Sequence, residues 1–311
     1  MERYLVTGGA GFIGSHIVET LLTRGEAVRV LDDFDTGSRQ NLAQFSGDLE
    51  ILEGTIVDRE TVRKAVQGID YVLHEAARGS VPRSVSDPLG THDANATGTL
   101  NILKAAHEAG VRRVVCASSS SVYGETPVLP KEEGMVSHPQ SPYAYSKLIL
   151  EHYCDIFQKI YGLETVALRY FNIYGPRQNP ELQYAAVVPI FIKNMLRRKP
   201  CTIYGDGGQT RDFTFVADCV QANLIACKKT EAAGKVMNVA CGGQISVLEL
   251  FSTLAKMLNY SLEPHHEPSR PGDVRHSRGS TENLKKFLGF EPSTSLEKGL
   301  ERTVEWYRSA L

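Results

Sequence analysis

The 311-residue chain is most informative first in what it lacks. It has no apolar run near the roughly 18 residues that cross a bilayer, so no membrane association is expected. It has no excess of either charge: 34 Lys and Arg stand against 36 Asp and Glu, a net charge of -2. That removes the electrostatic case for nucleic acid or an anionic membrane surface. Six cysteines (Cys116, Cys154, Cys201, Cys219, Cys227 and Cys241) show no C-x-x-C spacing, and nine histidines show no ligand spacing. Neither a metal site nor a disulfide framework is therefore expected, and the thiols read as buried and reduced. His265-His266 reads as loop surface. No secretory leader precedes "RYLVTGGAG", which starts a strand near Arg3, and a cytoplasmic location follows as the expectation. There is no internal repeat and no low-complexity tract. What is there is an ordinary globular composition, 42% hydrophobic and 23% charged, long enough for one large or two modest domains.

The first half alternates two patterns. "RYLVT", "AVRVLD", "LEILEG", "YVLHEA", "RRVVCAS" and "ETVALR" are short, continuously apolar runs of the kind buried in a parallel sheet. Between them the spacing predicts helices over Phe12–Arg24, Pro88–Ala109 and Tyr143–Tyr161, each followed by glycine (Gly25, Gly110, Gly162). The alternation predicts an α/β fold with a doubly wound parallel sheet. After about Arg169 the rhythm changes to a long Pro/Gly/Asn loop, a helix near Val187–Arg198 and a short strand "CTIYG". "DFTFV" and "KVMNVA" read as strands returning to the sheet, and the chain is mostly helical from Ser246. The expected division is a dinucleotide-binding domain over 1–168 and 213–241, with a smaller substrate-capping domain over 169–212 and 242–311.

"VTGGAGFIGSH" follows the first strand and opens the first helix. Gly9, Gly11 and Gly14 satisfy G-x-G-x-x-G, and Gly8, Gly11 and Gly14 satisfy G-x-x-G-x-x-G. Glycine lets backbone N–H groups approach a pyrophosphate, and the helix N-terminus adds positive partial charge. A glycine turn alone can be merely structural, but Asp32 ends the second strand eighteen residues after Gly14, where an acid grips ribose hydroxyls. Asp33 beside it would repel a 2′-phosphate, and the nearest basic residue downstream is Arg39, so NAD is expected rather than NADP.

In "SPYAYSK", Ser141 suits an N-cap and Pro142 the first helical position. Residues four apart share a helix face, so Tyr143 stands over Lys147 while Tyr145 points elsewhere. A phenol with an ordinary pKa of about 10 becomes a base near neutrality only when positive charge favours its phenolate. Lys147 and an oxidised nicotinamide would both do so. An ordinary amphipathic helix can carry Tyr-x-x-x-Lys by chance; the dinucleotide loop upstream argues against that. "CASSSSVYGE" ends the fifth strand, where an open α/β sheet presents ligand-binding residues.

With "TGGAGFIG", "SSSSVYG", "SPYAYSK", "LRYFNIYGPRQ" and "RPGDVRHS", the chain resembles, over nearly its whole length, an extended short-chain dehydrogenase/reductase of the UDP-hexose 4-epimerase kind. The resemblance implies that Tyr143 takes the proton from the sugar 4-hydroxyl, that Lys147 bonds the nicotinamide ribose, and that Ser119 hydrogen-bonds the substrate. It implies an NAD site of Gly8, Gly11, Phe12, Ile13, Gly14, Asp32, Thr55, Ile56 and Ala76, together with Tyr143 and Lys147. Ser120 and Ser121 stand where related 4,6-dehydratases carry an Asp-Glu pair and related decarboxylases a glutamate. Serine cannot perform that proton transfer near neutral pH, which favours epimerisation.

For the substrate, a UDP-sugar, the resemblance implies that Arg211 and Arg270 hold the diphosphate with Asn172, their planar forks suiting phosphate. Ala186, Val187 and Tyr204 match positions that line the uridine site. Ser277 falls where a bulky tyrosine closes the pocket of glucose-restricted relatives, and Gly79 and Ser80 lie in a stretch seen in enzymes that prefer N-acetylated sugars. UDP-GlcNAc/UDP-GalNAc interconversion is the resulting expectation, with dual specificity left open.

Two positions depart from the pattern. Thr55 replaces the aspartate that meets the adenine amino group. Arg78 follows "HEAA" where an uncharged residue is usual. It would suit a sugar carboxylate, which keeps UDP-glucuronate 4-epimerase in play, or it points outward or pairs with an acid such as Glu75. A catalytically idle NAD-binding sensor is the alternative from another class; intact Ser119, Tyr143 and Lys147 weigh against it. The helix after Tyr143 carries an apolar stripe at Ile149, Tyr153, Ile156 and Ile160, extended by Leu148, Phe157 and Tyr161. The resemblance implies that it pairs with a second copy, alongside the helix near Pro88–Ala109, in a homodimeric four-helix bundle. Cover by the capping domain is the other reading.

Overall fold

Alternating apolar runs and amphipathic segments produce alternating strands and helices. β1 (Arg3–Thr7), α1 (Phe12–Thr23), β2 (Ala27–Asp32), α2 (Gln40–Ala43), β3 (Leu49–Glu53), α3 (Arg59–Ala65) and β4 (Tyr71–His74) come first. Next are α4 (Val81–Ser86), α5 (Pro88–His92), a π-helical turn at Asp93–Thr97, α6 (Gly98–Glu108), β5 (Arg113–Ser119) and a 3-10 turn at Ser120–Tyr123. α7 (Pro142–Tyr161), β6 (Glu164–Tyr170), β7 (Ile173–Tyr174), α8 (Val187–Leu196), β8 (Thr202–Tyr204), β9 (Thr210–Arg211) and β10 (Thr214–Phe215) follow. The chain ends with α9 (Val216–Lys228), β11 (Lys235–Val239), β12 (Ile245–Ser246), α10 (Val247–Leu258), β13 (His265–Glu267), α11 (Glu282–Leu288) and α12 (Leu296–Ala310). The structure is a computed structural model, and it describes residues 1–182, 185–269 and 274–310.

Seven strands form one parallel sheet in the order β11-β6-β5-β4-β1-β2-β3. Helices cover both faces, so a strand such as β4 is buried throughout. On one face Tyr4, Val6 and Val30 pack with Ile17, Val18 and Leu21 of α1, in a core that continues to Phe191, Leu250 and Leu300. On the other, Leu5 and Leu31 pack with Val62, Ile102, Leu150 and Phe157. Each such side chain contributes about 1.5–3 kcal/mol by leaving water. The strand order reverses between β1 and β4, and there the connections part to leave a crevice at the C-terminal strand ends.

The doubly wound sheet matches the expectation, and so does the return of "KVMNVA" as β11 beside β6. "DFTFV" does not return to it. Thr214 and Phe215 pair with Ile173 and Tyr174 in a separate two-stranded piece, because the free edge of β6 is already taken by β11. The helix expected over Pro88–Ala109 contains the π-helical turn. His265 and His266 are exposed as expected, but in β13, paired with β8 rather than in a loop.

Candidate active site

A cavity of about 1330 Å³ opens over the C-terminal ends of the central strands. One end is the glycine turn after β1. Gly8 has φ +68°, and a Cβ there would stand 2.7 Å from the Ala76 backbone nitrogen. A Cβ on Gly14 would collide with the Gly8 carbonyl, so the turn and α1 can approach this closely only without side chains. Gly8, Gly11, Phe12, Ile13, Gly14, Asp32, Thr55, Ile56 and Ala76 all line this end. Asp32 is buried, and its carboxylate accepts from the N–H groups of Ala10 (2.9 Å) and Phe34 (2.8 Å). Burial raises its pKa while those two donors act against the rise. Asp32 thus shapes the loop that frames the groove as well as facing it. Arg39, the cation that could have met a 2′-phosphate, lies over the Phe34 ring and pairs with Glu53. The Thr55 hydroxyl accepts from the Val57 N–H at 3.3 Å.

At the middle of the cavity β5 and α7 deliver Ser119, Tyr143 and Lys147. α7 starts as its sequence dictates: Ser141 Oγ accepts from the Ala144 N–H at 3.1 Å, Pro142 opens the first turn, and Gly162 ends it with φ +70°. Glu151 on the same helix takes a two-pronged bond from Arg169 (2.8 and 2.7 Å) and one from Ser118 (2.5 Å). This fixes α7 against β5 and β6 beneath the reactive groups. Lys147 Nζ donates to the Ala117 carbonyl at 2.7 Å and stands 5.9 Å from the Tyr143 ring centre.

The Tyr143 phenol is not lowered in this arrangement, contrary to the expectation from Lys147. Burial raises its pKa; the bond with Ser119 opposes the rise and the charge of Glu75 adds to it. Lys147 is committed to Ala117, and burial brings it down to about 8, with Glu75 acting the other way. A phenolate here therefore needs further positive charge in the cavity. Ser121 donates to Ser119 Oγ at 2.9 Å, and Ser120 and Ser121 line the same wall.

Glu75 was legible only as a possible partner of Arg78, and the structure gives it another place. Its carboxylate accepts from the Tyr170 hydroxyl at 2.7 Å, and that hydroxyl accepts from Asn223 Nδ2 at 2.7 Å. Burial raises the Glu75 pKa to about 7, opposed by Tyr170 and Lys147. Arg78 instead pairs with Asp87 at 2.7 Å, with Asp35 4.0 Å away. Preceding Glu75, His74 is a core histidine held by Thr7 (2.7 Å) and Thr99 (3.0 Å), which burial keeps neutral with a pKa of about 3.

The far end of the cavity is lined by Asn172, Ala186, Arg211 and Ser277, and Gly79 and Ser80 border it from the β4 side. Val187 and Tyr204 line an adjoining cavity of about 280 Å³ that shares Asn172, Ala186 and Arg211. Asn172 has φ +38°, a left-handed conformation that asparagine tolerates. Arg211 Nη1 donates to the Thr210 carbonyl at 2.8 Å. Around Gly79 a Cβ would meet nothing within 4 Å. Ser80 Oγ caps α4 by accepting from the Arg83 N–H at 3.2 Å. Arg270 lies outside the described residues. Two anchors here escaped the sequence reading. Asp212 accepts from Cys241 (2.9 Å), Gly242 (3.0 Å) and Gly279 (3.0 Å), holding the Ser277 segment to the end of β11. Arg177 crosses to α1, where it meets His16 and Glu19.

A family model described as the NAD dependent epimerase/dehydratase family matches residues 4–240. A UDP-glucose 4-epimerase of Mycolicibacterium smegmatis is 39% identical over 311 aligned positions, covering 99% of both chains. Among solved structures, a UDP-N-acetylglucosamine 4-epimerase of Methanobrevibacter ruminantium in complex with UDP-N-acetylmuramic acid superposes with a TM-score of 0.96 at 37% identity, over 100% of this chain and 99% of that one. A UDP-glucose 4-epimerase of Thermus thermophilus in complex with NAD gives 0.91 at 38% identity, over 99% and 100%. The matched span carries both the glycine turn and the Tyr143–Lys147 helix, and the chain belongs to the NAD-dependent epimerase/dehydratase family.

Proposed function

We propose that the protein is a 4-epimerase of UDP-sugars, acting on UDP-GlcNAc/UDP-GalNAc and also on UDP-glucose/UDP-galactose. The observation that carries this reading is the company Ser119, Tyr143 and Lys147 keep. They share a cavity wall with Ser120 and Ser121, in a 3-10 turn without a carboxylic acid. Elimination or decarboxylation would call for an acid there, whereas epimerisation needs only one proton removed and returned at one oxygen. NAD, when bound, supplies the hydride acceptor and a positive charge beside the phenol. Tyr143 removes the proton from the 4-hydroxyl, Ser119 holds that oxygen, and Lys147 holds the nicotinamide ribose. The 4-keto sugar then presents its opposite face, C4 takes back the hydride it gave up, and Tyr143 returns the proton to the 4-oxygen.

Arg211, Arg270 and Asn172 hold the diphosphate on this reading, with Ala186, Val187 and Tyr204 at the uracil. Residues 1–168 and 213–241 act as the cofactor domain; 169–212 and 242–311 act as the cap. The open space at Gly79 and the small Ser277 support a 2-acetamido group. Arg78 is engaged with Asp87, which takes away its support for a uronic acid. The protein also pairs with a second copy: Leu89 and Ile160 are 78% and 72% exposed, on α5 and α7, with Val85, Tyr145, Ile156 and Tyr161 exposed alongside.

The test is a product assay. Protein supplied with NAD is given UDP-GlcNAc, UDP-glucose and UDP-glucuronate separately, and each mixture is resolved for its 4-epimer. UDP-GalNAc is expected to form fastest. Turnover of UDP-glucuronate alone would overturn the sugar assignment, and no epimer from any of the three would overturn the activity.

A further inference from the structure

We infer that Asp35, Arg78, Arg83 and Asp87 form an ionic strap across the cofactor groove that keeps bound NAD from leaving. β2 and β4 flank β1 in the sheet, and the glycine turn that faces the cofactor leaves the end of β1. Asp35 follows β2, whereas Arg78, Arg83 and Asp87 follow β4. Arg83 Nη2 meets Asp35 Oδ2 at 2.9 Å, with Arg78 Nε 4.0 Å from the same oxygen. A bond between those two segments must pass over the turn between them. All four residues line the same cavity.

Both ends of the strap are pinned by backbone. The Asp35 N–H donates to Asp33 at 3.1 Å, and the preceding Phe34 N–H is held by Asp32. Arg83 sits in the first turn of α4 through the Ser80 cap. Asp87 caps α5 with one oxygen (Gly90 N–H, 2.9 Å) and takes Arg78 with the other (2.7 Å). The Arg78 N–H donates to Asn95 at 2.8 Å, and Asn95 donates to Ser146 at 3.0 Å, next to Lys147. An isolated exposed ion pair is worth about 0–1 kcal/mol, much of the gain being lost in ordering two long side chains. Here the capped helices and bonded loops already hold the segments in place. The side chains remain partly exposed, so salt reaches them, with a screening length of about 8 Å at physiological ionic strength.

Such a strap fits an enzyme that restores its NAD in every turnover, a point that rests on the proposed epimerisation. Its test does not, because no sugar is present. Full-length protein loaded with NAD is mixed with excess NADH, and exchange is followed by NADH fluorescence for wild type, Asp35→Asn, Arg83→Gln and the swap Asp35→Arg/Arg83→Asp. Each single variant is expected to release NAD about two- to fivefold faster, with the swap recovering most of the loss. Raising NaCl to 1 M should bring wild type to the rate of the single variants. An unchanged rate in Asp35→Asn would overturn the strap. So would faster release in Arg83→Gln alone, which would mean that the arginine holds the cofactor directly.

Discussion

At Tyr143, burial and a serine bond pull the phenol in opposite directions, and burial prevails. The residue is therefore a proton holder until the cavity gains positive charge. Tyr143→Phe removes the proton acceptor while leaving the ring, so turnover should fall by about 10²–10⁴-fold with NAD still bound; product assays and the cofactor content of the purified variant check both halves. Glu75 adds to the effect of burial on this phenol. Ionised, it raises the pKa values of both Tyr143 and Lys147. Glu75→Gln should therefore move both limbs of the kcat/KM profile to lower pH, which a purely structural role would not do. Glu75 has a folded pKa of about 7, above its ordinary 4.5, so it binds a proton more tightly in the folded state. That stabilisation is present at low pH and is lost as pH rises through 7. The Tm of Glu75→Gln relative to wild type should thus be higher at pH 8 than at pH 4.5. Tyr143 and Lys147 were legible because four residues make one helical turn. Glu75 was not, because its partner Tyr170 lies 95 residues away.

At the scale of elements, α7 shows why local signals suffice for some features. Its Ser-Pro start and glycine end were read from the sequence, and the caps have the bonds that those residue types make. Ser141→Ala should cost about 1 kcal/mol in urea unfolding. The Glu151–Arg169 pair beneath it is buried on both sides, so Glu151→Ala strands a guanidinium and should cost about 3–5 kcal/mol. Replacing both, as Glu151→Leu/Arg169→Met, should recover much of that loss, because the stranded charge rather than the missing bond carries the penalty. "DFTFV" shows the opposite case. Its β-forming residues were evident, but its partner depended on β11 having taken the sheet edge first.

Over the whole molecule, the apolar stripe of α7 divides in two. Phe157 enters the core and Ile149 and Tyr153 are half-buried, while Ile156 and Ile160 remain outside with Leu89 and Val85 of the neighbouring helices. No capping segment covers them among the described residues. Light scattering at micromolar concentration should give twice the chain mass, and Ile160→Glu with Leu89→Glu should return it to a monomer. A monomer in the unmodified protein would overturn the pairing. The same scale explains Arg177, which ties the loop after β7 back to α1 across some 160 residues.

The sequence by itself determined the parallel sheet, the glycine turn after β1, the helix that carries Tyr143 over Lys147, and the absence of acid in the serine run. The last three follow from spacings shorter than one or two helical turns or from the chemistry of a single residue type, and the sheet follows from the alternation of apolar runs with helical patterns. Only the tertiary structure decided that Glu75 bonds Tyr170, that Arg78 turns to Asp87, that Asp212 gathers three backbone N–H groups, and that the loops after β2 and β4 meet through Asp35 and Arg83. Those pairings depend on which strands lie side by side, and strand order is set by the burial of both sheet faces at once rather than by any local run of residues.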